Sequence, residues 1–396
     1  MRLGPSAPLT AGLLVLLVVP AAAQDLDIGA SFRGYGFYAL EESFFQSRRD
    51  AEFAVVRVTP TLTFNPTFKL ESHVVATVAS PPVSLSSSIA TGVGETYLDL
   101  ERNLVNKPDA RVDLALDRLN LQIKTDAFQL TCGRQAVSWG VNYFWPALDL
   151  FAPFAPNRID RDYKPGVDAV RLLVPIGAYS EVQAIGAILG PSSSDDLAVG
   201  SLIRLNFGNV DVGGMAGRFH RDDVIGAFVT ANVAGTGLRG EASWTHSGDP
   251  ADVAFDRERF GRAAIGVDRQ LTPSLSLILE AAWNGYGAAD PRDYTRLLMS
   301  DRVSRGEVTS LGRYHTGVSV NWQFHPLFSL NQTLLYGWDD GSALWSPALT
   351  WSTGNNSEIL LGGQFGLGKE PSSRFRLQSE YGASPSVLFI GAKLYL

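Results

Sequence analysis

From residue 26 to the last residue, apolar and polar positions alternate with a period of two. Successive side chains of an extended strand point to opposite faces, so this period predicts strands with one apolar and one polar face. Leu26, Ile28, Ala30 and Phe32 oppose Asp27, Ser31 and Arg33, and Leu238, Gly240, Ala242 and Trp244 oppose Arg239, Glu241, Ser243 and Thr245. Leu275, Leu277, Leu279, Ala281 and Trp283 oppose Ser276, Glu280 and Asn284. Tyr314, Thr316, Val318, Val320 and Trp322 oppose His315, Ser319, Asn321 and Gln323. Segments of about ten residues cross a bilayer when tilted. A β-sandwich gives the same local alternation. It does not account for the end of the chain, where Leu388, Ile390, Ala392, Leu394 and Leu396 alternate with Gly391, Lys393 and Tyr395. In a soluble protein that strand would leave an adhesive edge; in a closed barrel it pairs with the first strand.

The connections alternate short and long. Tight turns are predicted at Asn65-Pro66, Thr125-Asp126, Ala234-Gly235-Thr236, Thr272-Pro273 and His325-Pro326, and long segments near 80–112, 140–166, 247–260, 286–311 and 367–384. Strands are expected near 26–39, 52–64, 67–79, 113–124, 128–139, 167–174, 180–189, 198–207, 210–219, 224–233, 237–246, 261–271, 275–285, 312–323, 327–338, 342–352, 358–366 and 385–396. The fold class is therefore all-β: a transmembrane antiparallel β-barrel of about eighteen strands, with short periplasmic turns and long outer loops. Trp283, Trp322, Tyr336, Trp338, Trp345 and Trp351 lie on apolar faces, mostly near strand ends, as interfacial girdles do.

The N-terminal end adds a targeting expectation. Arg2, the apolar stretch from Leu9 to Pro20 and Ala21-Ala22-Ala23 form the three regions of a signal peptide, with cleavage after Ala23. The chain then divides into a leader, 1–23, and a single barrel, 24–396. Charged residues make up 18% of the chain. Soluble proteins usually carry more, roughly 25%. A net charge of −7 argues against nucleic acid as a partner. Cys132 is the single cysteine, which excludes a disulfide framework.

If one face meets lipid, the other encloses an interior. That polar face is expected to line the pore with Arg33, Arg57, Lys69, Arg118, Lys124, Arg134, Arg171, Arg204, Arg239, Glu241, Arg262, Glu280 and Arg313. Lys393 and the carboxylates Glu71, Glu181, Asp211, Asp268 and Glu358 fall on the same face. A charge on the lipid face would cost about 2–4 kcal/mol at the bilayer midplane. Bases outnumber acids here, which would concentrate anions. The competing reading is a set of salt bridges bracing the wall, for example Glu241 with Arg239 and Glu280 with arginines of neighbouring strands. Alternation puts Arg134 on the lipid side, after Phe128, Leu130 and Cys132, unless a β-bulge at Gly133 restores it to the interior.

The stretch 117–170 carries the most specific motifs: Asp117-Arg118, Gly133-Arg134-Gln135, Trp139-Gly140, then Pro146, Asp149, Phe151 and Pro153-Phe154. It closes with Asp160-Arg161-Asp162-Tyr163-Lys164-Pro165-Gly166-Val167-Asp168. This arrangement resembles a group of Gram-negative outer-membrane barrels related to the porin-like and alginate-export families. The resemblance implies an 18-stranded channel and transfers no substrate. Gly391, Leu394 and Leu396 resemble the C-terminal insertion signal of bacterial outer-membrane proteins, although that signal usually ends in Phe or Trp. From Val141 to Pro165 the chain is aromatic and proline-rich, an odd composition for a free loop in water. It is expected to fold into the barrel mouth as a constriction, with Arg158, Asp160, Arg161, Asp162 and Lys164 as charged rims; packing on the barrel rim or on a neighbouring subunit is the alternative.

Catalytic chemistry finds little support. His73, His220, His246, His315 and His325 show no metal-site spacing, and no Gly-x-Ser-x-Gly elbow occurs. The functional expectation is a non-enzymatic outer-membrane channel for passive passage of a hydrophilic, anionic solute or polysaccharide. It needs no cofactor and no metal. The alternatives are a structural or adhesive barrel with a plugged lumen and, further off, an outer-membrane hydrolase. The implied partners are outer-membrane lipid, lipopolysaccharide and the barrel-assembly machinery.

Overall fold

The computed structural model describes residues 24–41, 49–80, 96–191, 195–248, 257–373 and 376–396. The expected leader over 1–23 lies outside them, as do the 81–95 part of the segment 80–112, the 249–256 part of 247–260 and residues 374–375 of 367–384. The first strands are β1 (Asp25–Ala39), β2 (Asp50–Thr63), β3 (Phe68–Ala79), β4 (Glu101–Lys107), β5 (Ala110–Lys124) and β6 (Gln129–Gln135). There follow β7 (Val167–Ile176), β8 (Ser180–Ile188), β9 (Leu197–Phe207), β10 (Val210–Phe219), β11 (Asp222–Val233), β12 (Thr236–His246) and β13 (Arg259–Thr272). The last are β14 (Leu275–Asn284), β15 (Tyr314–His325), β16 (Phe328–Gly337), β17 (Ser342–Gly354), β18 (Ser357–Leu367) and β19 (Val387–Tyr395).

All strands but β4 form one closed ring of eighteen, each antiparallel to both neighbours. Closure is made by β1 and β19, from Ser31 opposite Tyr395 to Ala39 opposite Val387. The terminal strand thus has a partner on each side, with β18 on the other. Gln24 and Leu396 lie at one end of the ring with most of the short connections, and the long segments leave the strands at the opposite end, where the short hairpins at His220-Arg221 and 338–341 also fall. The turn residues Ala234 (φ 49) and Gly235 (φ 77) both have positive φ. That geometry matches the twist of a tight hairpin.

The outer face is an apolar band. Ile265 is 68% exposed and Ile225 61%, and no second sheet among the described residues covers them. Two aromatic girdles flank the band. Trp322, Phe324, Phe328 and Trp351 form a chain of rings at 5.5–6.1 Å spacing near the short-turn end. Trp244, Trp283, Tyr314, Trp338 and Trp345 are exposed near the long-loop end. Aromatic side chains favour both interfaces because each ring has an apolar body and a polar tip. These features define a membrane-spanning barrel.

Three local expectations are corrected. The strand expected over 128–139 stops at Gln135, because the chain leaves the wall there. The upper edge of β5 would then lack a partner, and β4 supplies it by pairing with Ala110–Ala115. The polar run Glu101-Arg102-Asn103-Leu104-Val105-Asn106-Lys107 has no period of two, so its sequence hid this strand. The third concerns the bulge at Gly133: β6 pairs with β5 and β7 in unbroken register. Gly133 instead has positive φ (+115), and a Cβ there would sit 2.2 Å from the Leu119 carbonyl oxygen. Only glycine fits such a position. The bulge lies on β5, where His73 and Val74 face Arg118 and Leu116 and leave Asp117 as the extra residue. An extra residue re-aims its side chain, and here the Asp117 carboxylate comes to 3.0 Å from Arg118 Nη1.

Candidate functional site: a segment that crosses the lumen

Between Gln135 and Val167 the chain makes no strand and contacts the wall all round the ring. Trp139, Leu148, Leu150 and Phe151 pack against Ala187, Ala198, Leu202, Met215, Phe219 and Phe228 of β8–β11. Phe144 and Trp145 pack against Leu335 and Leu344 of β16 and β17. Ile159 packs against the cluster of Tyr35, Phe37, Phe53 and Phe389 on β1, β2 and β19. A segment that touches opposite walls of a closed ring must run through its interior. Burying each of these large side chains contributes about 1.5–3 kcal/mol, which explains the aromatic composition.

Polar staples fix the crossing. Glu280 on β14 accepts from the backbone N–H groups of Tyr143 (2.8 Å), Phe144 (3.1 Å) and Trp145 (2.7 Å). Glu241 on β12 accepts from those of Val141 (3.0 Å), Asn142 (3.3 Å) and Ala147 (2.9 Å). A non-repetitive segment inside a barrel has unpaired backbone donors that must be satisfied. Two wall carboxylates meet that need here, so neither forms the ion pair expected from sequence. Arg239 pairs with Asp268 instead, at 2.5 Å.

The closing motif is mostly consumed in docking. Asp160 pairs with Arg33 on β1 at 2.5 Å. Asp162 accepts from Lys393 (2.7 Å) and Tyr395 (2.5 Å) on β19. Tyr163 lies between the guanidinium groups of Arg33 and Arg57, 4.8 and 4.1 Å from its ring centre, a cation–π arrangement. Lys164 pairs with Asp149, and its carbonyl accepts from Arg118. The segment rejoins the wall where the Gly166 N–H donates to Asp117 Oδ1 at 3.1 Å.

The remaining residues proposed for the pore fall into two groups. In one, carboxylates neutralise the cations. Asp117 takes Arg57 at 2.5 Å as well as Arg118. Arg134 is 1% exposed and grips Asp168 with Nε (2.8 Å) and Nη2 (2.9 Å). Its Nη2 also donates to the Leu98 carbonyl, 2.6 Å, so Arg134 fills a wall seam between β6, β7 and the chain before β4. In the other group the partners are neutral. Arg171 donates to Gln183 (3.0 Å), Arg262 to the Glu307 carbonyl (2.9 Å) and Arg313 to the Gly287 carbonyl (3.0 Å). Arg204 lies 5.4 Å from the Phe228 ring centre. Lys69 and Lys124 are exposed near the short turns. In the insertion signal, Gly391 packs on the Tyr35 ring, while Leu394 and Leu396 are exposed.

Arg158 and Arg161 belong to the second group and sit beside open space. Arg161 donates to the carbonyls of Tyr143 (3.3 Å), Ala155 (3.1 Å) and Pro156 (2.8 Å) and lies 4.9 Å over the Tyr143 ring. Arg158 donates to the Asp160 carbonyl (2.6 Å) and stands 4.8 Å over Phe154. Burial lowers both guanidinium pKa values, that of Arg158 to about 10. Both remain cationic at neutral pH. A cavity of about 240 Å³ separates them from a neutral wall of Asn331, Thr333, Ser346 and Gln364 on β16–β18, and Asp162, paired with Lys393, lines the same cavity.

Of the carboxylates that hold the crossing, Glu241, Glu280, Asp160 and Asp162 were among the residues expected from sequence to line the pore or its constriction, whereas three others were not singled out. Asp117, Asp149 and Asp168 each stand inside a quoted motif, and that placement was the available signal. Asp162 adds a pH expectation. Burial raises its pKa, but hydrogen bonds from Lys393 and Tyr395 prevail and hold it below the ordinary value. The stabilisation is therefore complete above the unfolded carboxylate pKa, about 3.9, and is lost as pH falls through the lower folded value. Single-channel noise from this end of the segment is expected to stay constant from pH 8 to 5. Asp162→Asn should raise it already at pH 7, as bilayer recordings at the two pH values would show.

The ring, its lipid-facing band and the inward segment define the class: a transmembrane β-barrel of the outer-membrane porin fold. No family model matches the chain, and no curated protein matches it. Solved structures do. OpdK of Pseudomonas aeruginosa, solved with vanillate, superposes with a TM-score of 0.57 at 11% identity over 94% of this chain and 99% of that one. OccAB2 of Acinetobacter baumannii gives 0.55 at 11% identity over 95% and 98%. OmpF of Salmonella typhi, in complex with daunomycin, gives 0.51 at 11% identity over 95% and 99%. At this identity the likeness is one of fold.

Proposed function

We propose that the chain is a passive, non-enzymatic channel of the Gram-negative outer membrane, that residues 1–23 are its cleaved leader, and that it favours a hydrophilic anionic solute. The observation that carries the anion preference is the bonding of Arg158 and Arg161. Their hydrogen bonds end on carbonyl oxygens and their planes lie on aromatic rings, so no carboxylate among the described residues is bonded to either at the constriction. The wall opposite is uncharged and rich in amides and hydroxyls, which suits a solute that sheds water in the narrow zone. Arg33, Arg57, Arg118, Arg134 and Arg239 contribute little, because each already faces a carboxylate. A simple count of basic residues therefore overstates the field. The pore uses lumen charge and size, and no catalytic group takes part. The narrower likeness to alginate-export barrels rests on the motifs of 117–170 alone and adds no solute. The test is the reversal potential of the reconstituted channel in a potassium chloride gradient. The wild type should reverse on the anion side, and Arg158→Gln with Arg161→Gln should move it towards zero. A wild-type channel that prefers potassium would overturn the proposal.

A further inference from the structure

The bonds that hold Arg158 and Arg161 leave part of each guanidinium unused. Arg158 donates from Nε alone, to the Asp160 carbonyl, and Arg161 donates from Nη1 and Nη2, to three backbone carbonyls. Nη1 and Nη2 of Arg158 and Nε of Arg161 have no partner among the described residues, and all three retain accessible surface. Both side chains line the cavity of about 240 Å³. Arg158 also borders a second cavity, of about 60 Å³, against β2, β3 and β5. There the carboxylates of Glu101, Asp113, Asp117 and Asp160 outnumber Arg33, Arg57 and Arg158, whereas the larger cavity sets Asp162 alone against Arg158 and Arg161. An anion therefore favours the larger one.

The acids closest to the two arginines are engaged elsewhere. Asp160 holds Arg33, and Asp162 holds Lys393 and Tyr395. Glu280 acts on Arg161 through space, but its oxygens accept from the backbone N–H groups of Tyr143, Phe144 and Trp145. Across the cavity, Gln364 gives its Nε2 to the Asn157 carbonyl (2.6 Å), which leaves Oε1 as an acceptor. Gln364 Oε1 and Ser346 Oγ have no partner among the described residues and retain accessible surface. Ile159, Pro347, Leu360 and Phe389 add apolar contacts to the same space.

These three kinds of surface select a solute with three features. A carboxylate has two acceptor oxygens and would leave one of the three donor nitrogens unused. A phosphate monoester offers three strong acceptor oxygens and a charge of about −1.5 to −2 at neutral pH, and guanidinium groups suit it in shape and charge. An aromatic ring against Ser346 and Gln364 would strip them of water without replacing its bonds. The hydroxyls of a sugar replace them, while its C–H face packs on the apolar side chains. A buried water takes roughly 10–15 Å³ of such space, so the cavity has room for about twenty, comparable with the non-hydrogen atoms of a hexose phosphate.

We infer that the cavity between the crossing segment and β16–β18 binds the phosphate monoester of a sugar or similar polyol, with the phosphate on Arg158 and Arg161 and hydroxyls on Ser346 and Gln364. This deepens the anion reading above and rests on it, by naming the class of anion.

The test is interruption of the chloride current through the full barrel in a planar bilayer at neutral pH and constant ionic strength. The probes are glucose 6-phosphate, gluconate, which keeps the hydroxyls but carries a carboxylate, and inorganic phosphate, which has no polyol. Glucose 6-phosphate should interrupt the current saturably, at concentrations about tenfold lower than either of the others, the worth of one hydrogen bond to a charged group. Arg158→Gln should abolish its advantage over gluconate. Ser346→Ala, a mild change on the opposite wall, should reduce its advantage over inorganic phosphate and leave the phosphate effect unchanged. The inference is overturned if glucose 6-phosphate does not interrupt the current, if gluconate or inorganic phosphate acts at the same concentration, or if both variants behave as the wild type. Reversal potentials keep the two readings apart: an anion-preferring pore that ignores glucose 6-phosphate sinks only this inference, while a potassium-preferring pore sinks the anion reading beneath it.

Discussion

Replacing Glu280 by alanine is expected to release the crossing segment, so that channels fluctuate between a docked and a wider state. Three backbone N–H groups converge on this one carboxylate, and no cation among the described residues is bonded to it. Hydrogen bonds to a charged group contribute about 1.5–3 kcal/mol each. Losing only one of them, at the low end of that range, shifts the docked-to-free ratio roughly tenfold. Alanine removes both acceptor oxygens, and with them all three bonds, and leaves the donors buried. Current traces in planar bilayers should then show an added level of higher conductance with weaker anion preference. Glu280→Gln should lie between, because the amide keeps one acceptor but turns a donor towards other donors. A variant with the wild-type conductance and a single level would show that aromatic packing alone holds the segment.

Asp117→Ala is expected to cost the barrel about 3–5 kcal/mol, the usual loss when one partner of a buried ion pair is removed. This carboxylate serves Arg57 (2.5 Å), Arg118 (3.0 Å) and the Gly166 N–H (3.1 Å) together. Its loss leaves two guanidinium groups buried without a carboxylate and frees the point where the crossing segment rejoins β7. The temperature at which the folded barrel converts to the unfolded form on a gel should drop clearly. Arg57→Met in the same chain should restore part of the loss, since it removes one orphaned charge. Equal losses for the single and double variants would mean that the Gly166 contact, and not charge, dominates. In the fraction that stays folded, uncovering Arg57 and Arg118 should increase anion preference, opposite in sign to the Arg158 and Arg161 substitutions.

Comparing particular residues shows how far sequence alone reaches. Leu238, Leu277 and Ile390 could be assigned to the outer face because a strand alternates sides at every residue, and lipid tolerates only one kind of side chain there. The ring of eighteen and its closure through β19 followed from that period and from the spacing of turns. The segment 141–165 was legible as an inward fold because its aromatics and prolines suit burial better than water. Partners were not legible. Glu241 and Glu280 carry the same charge as Asp268 or Asp160, and nothing local tells a carboxylate that pairs with arginine from one that collects backbone N–H groups. β4 was hidden because its pairing depends on β6 leaving the wall, an event set later in the chain, at Gln135.

Side-chain alternation is a property of the backbone itself, so residue order along the chain was enough to establish a membrane barrel with a polar interior. Which interior charges stay uncancelled depends on distances between strands far apart in sequence. Only the folded ring could show Arg33 neutralised by Asp160 and Arg161 left with carbonyls, because a charge acts through its nearest partners in space.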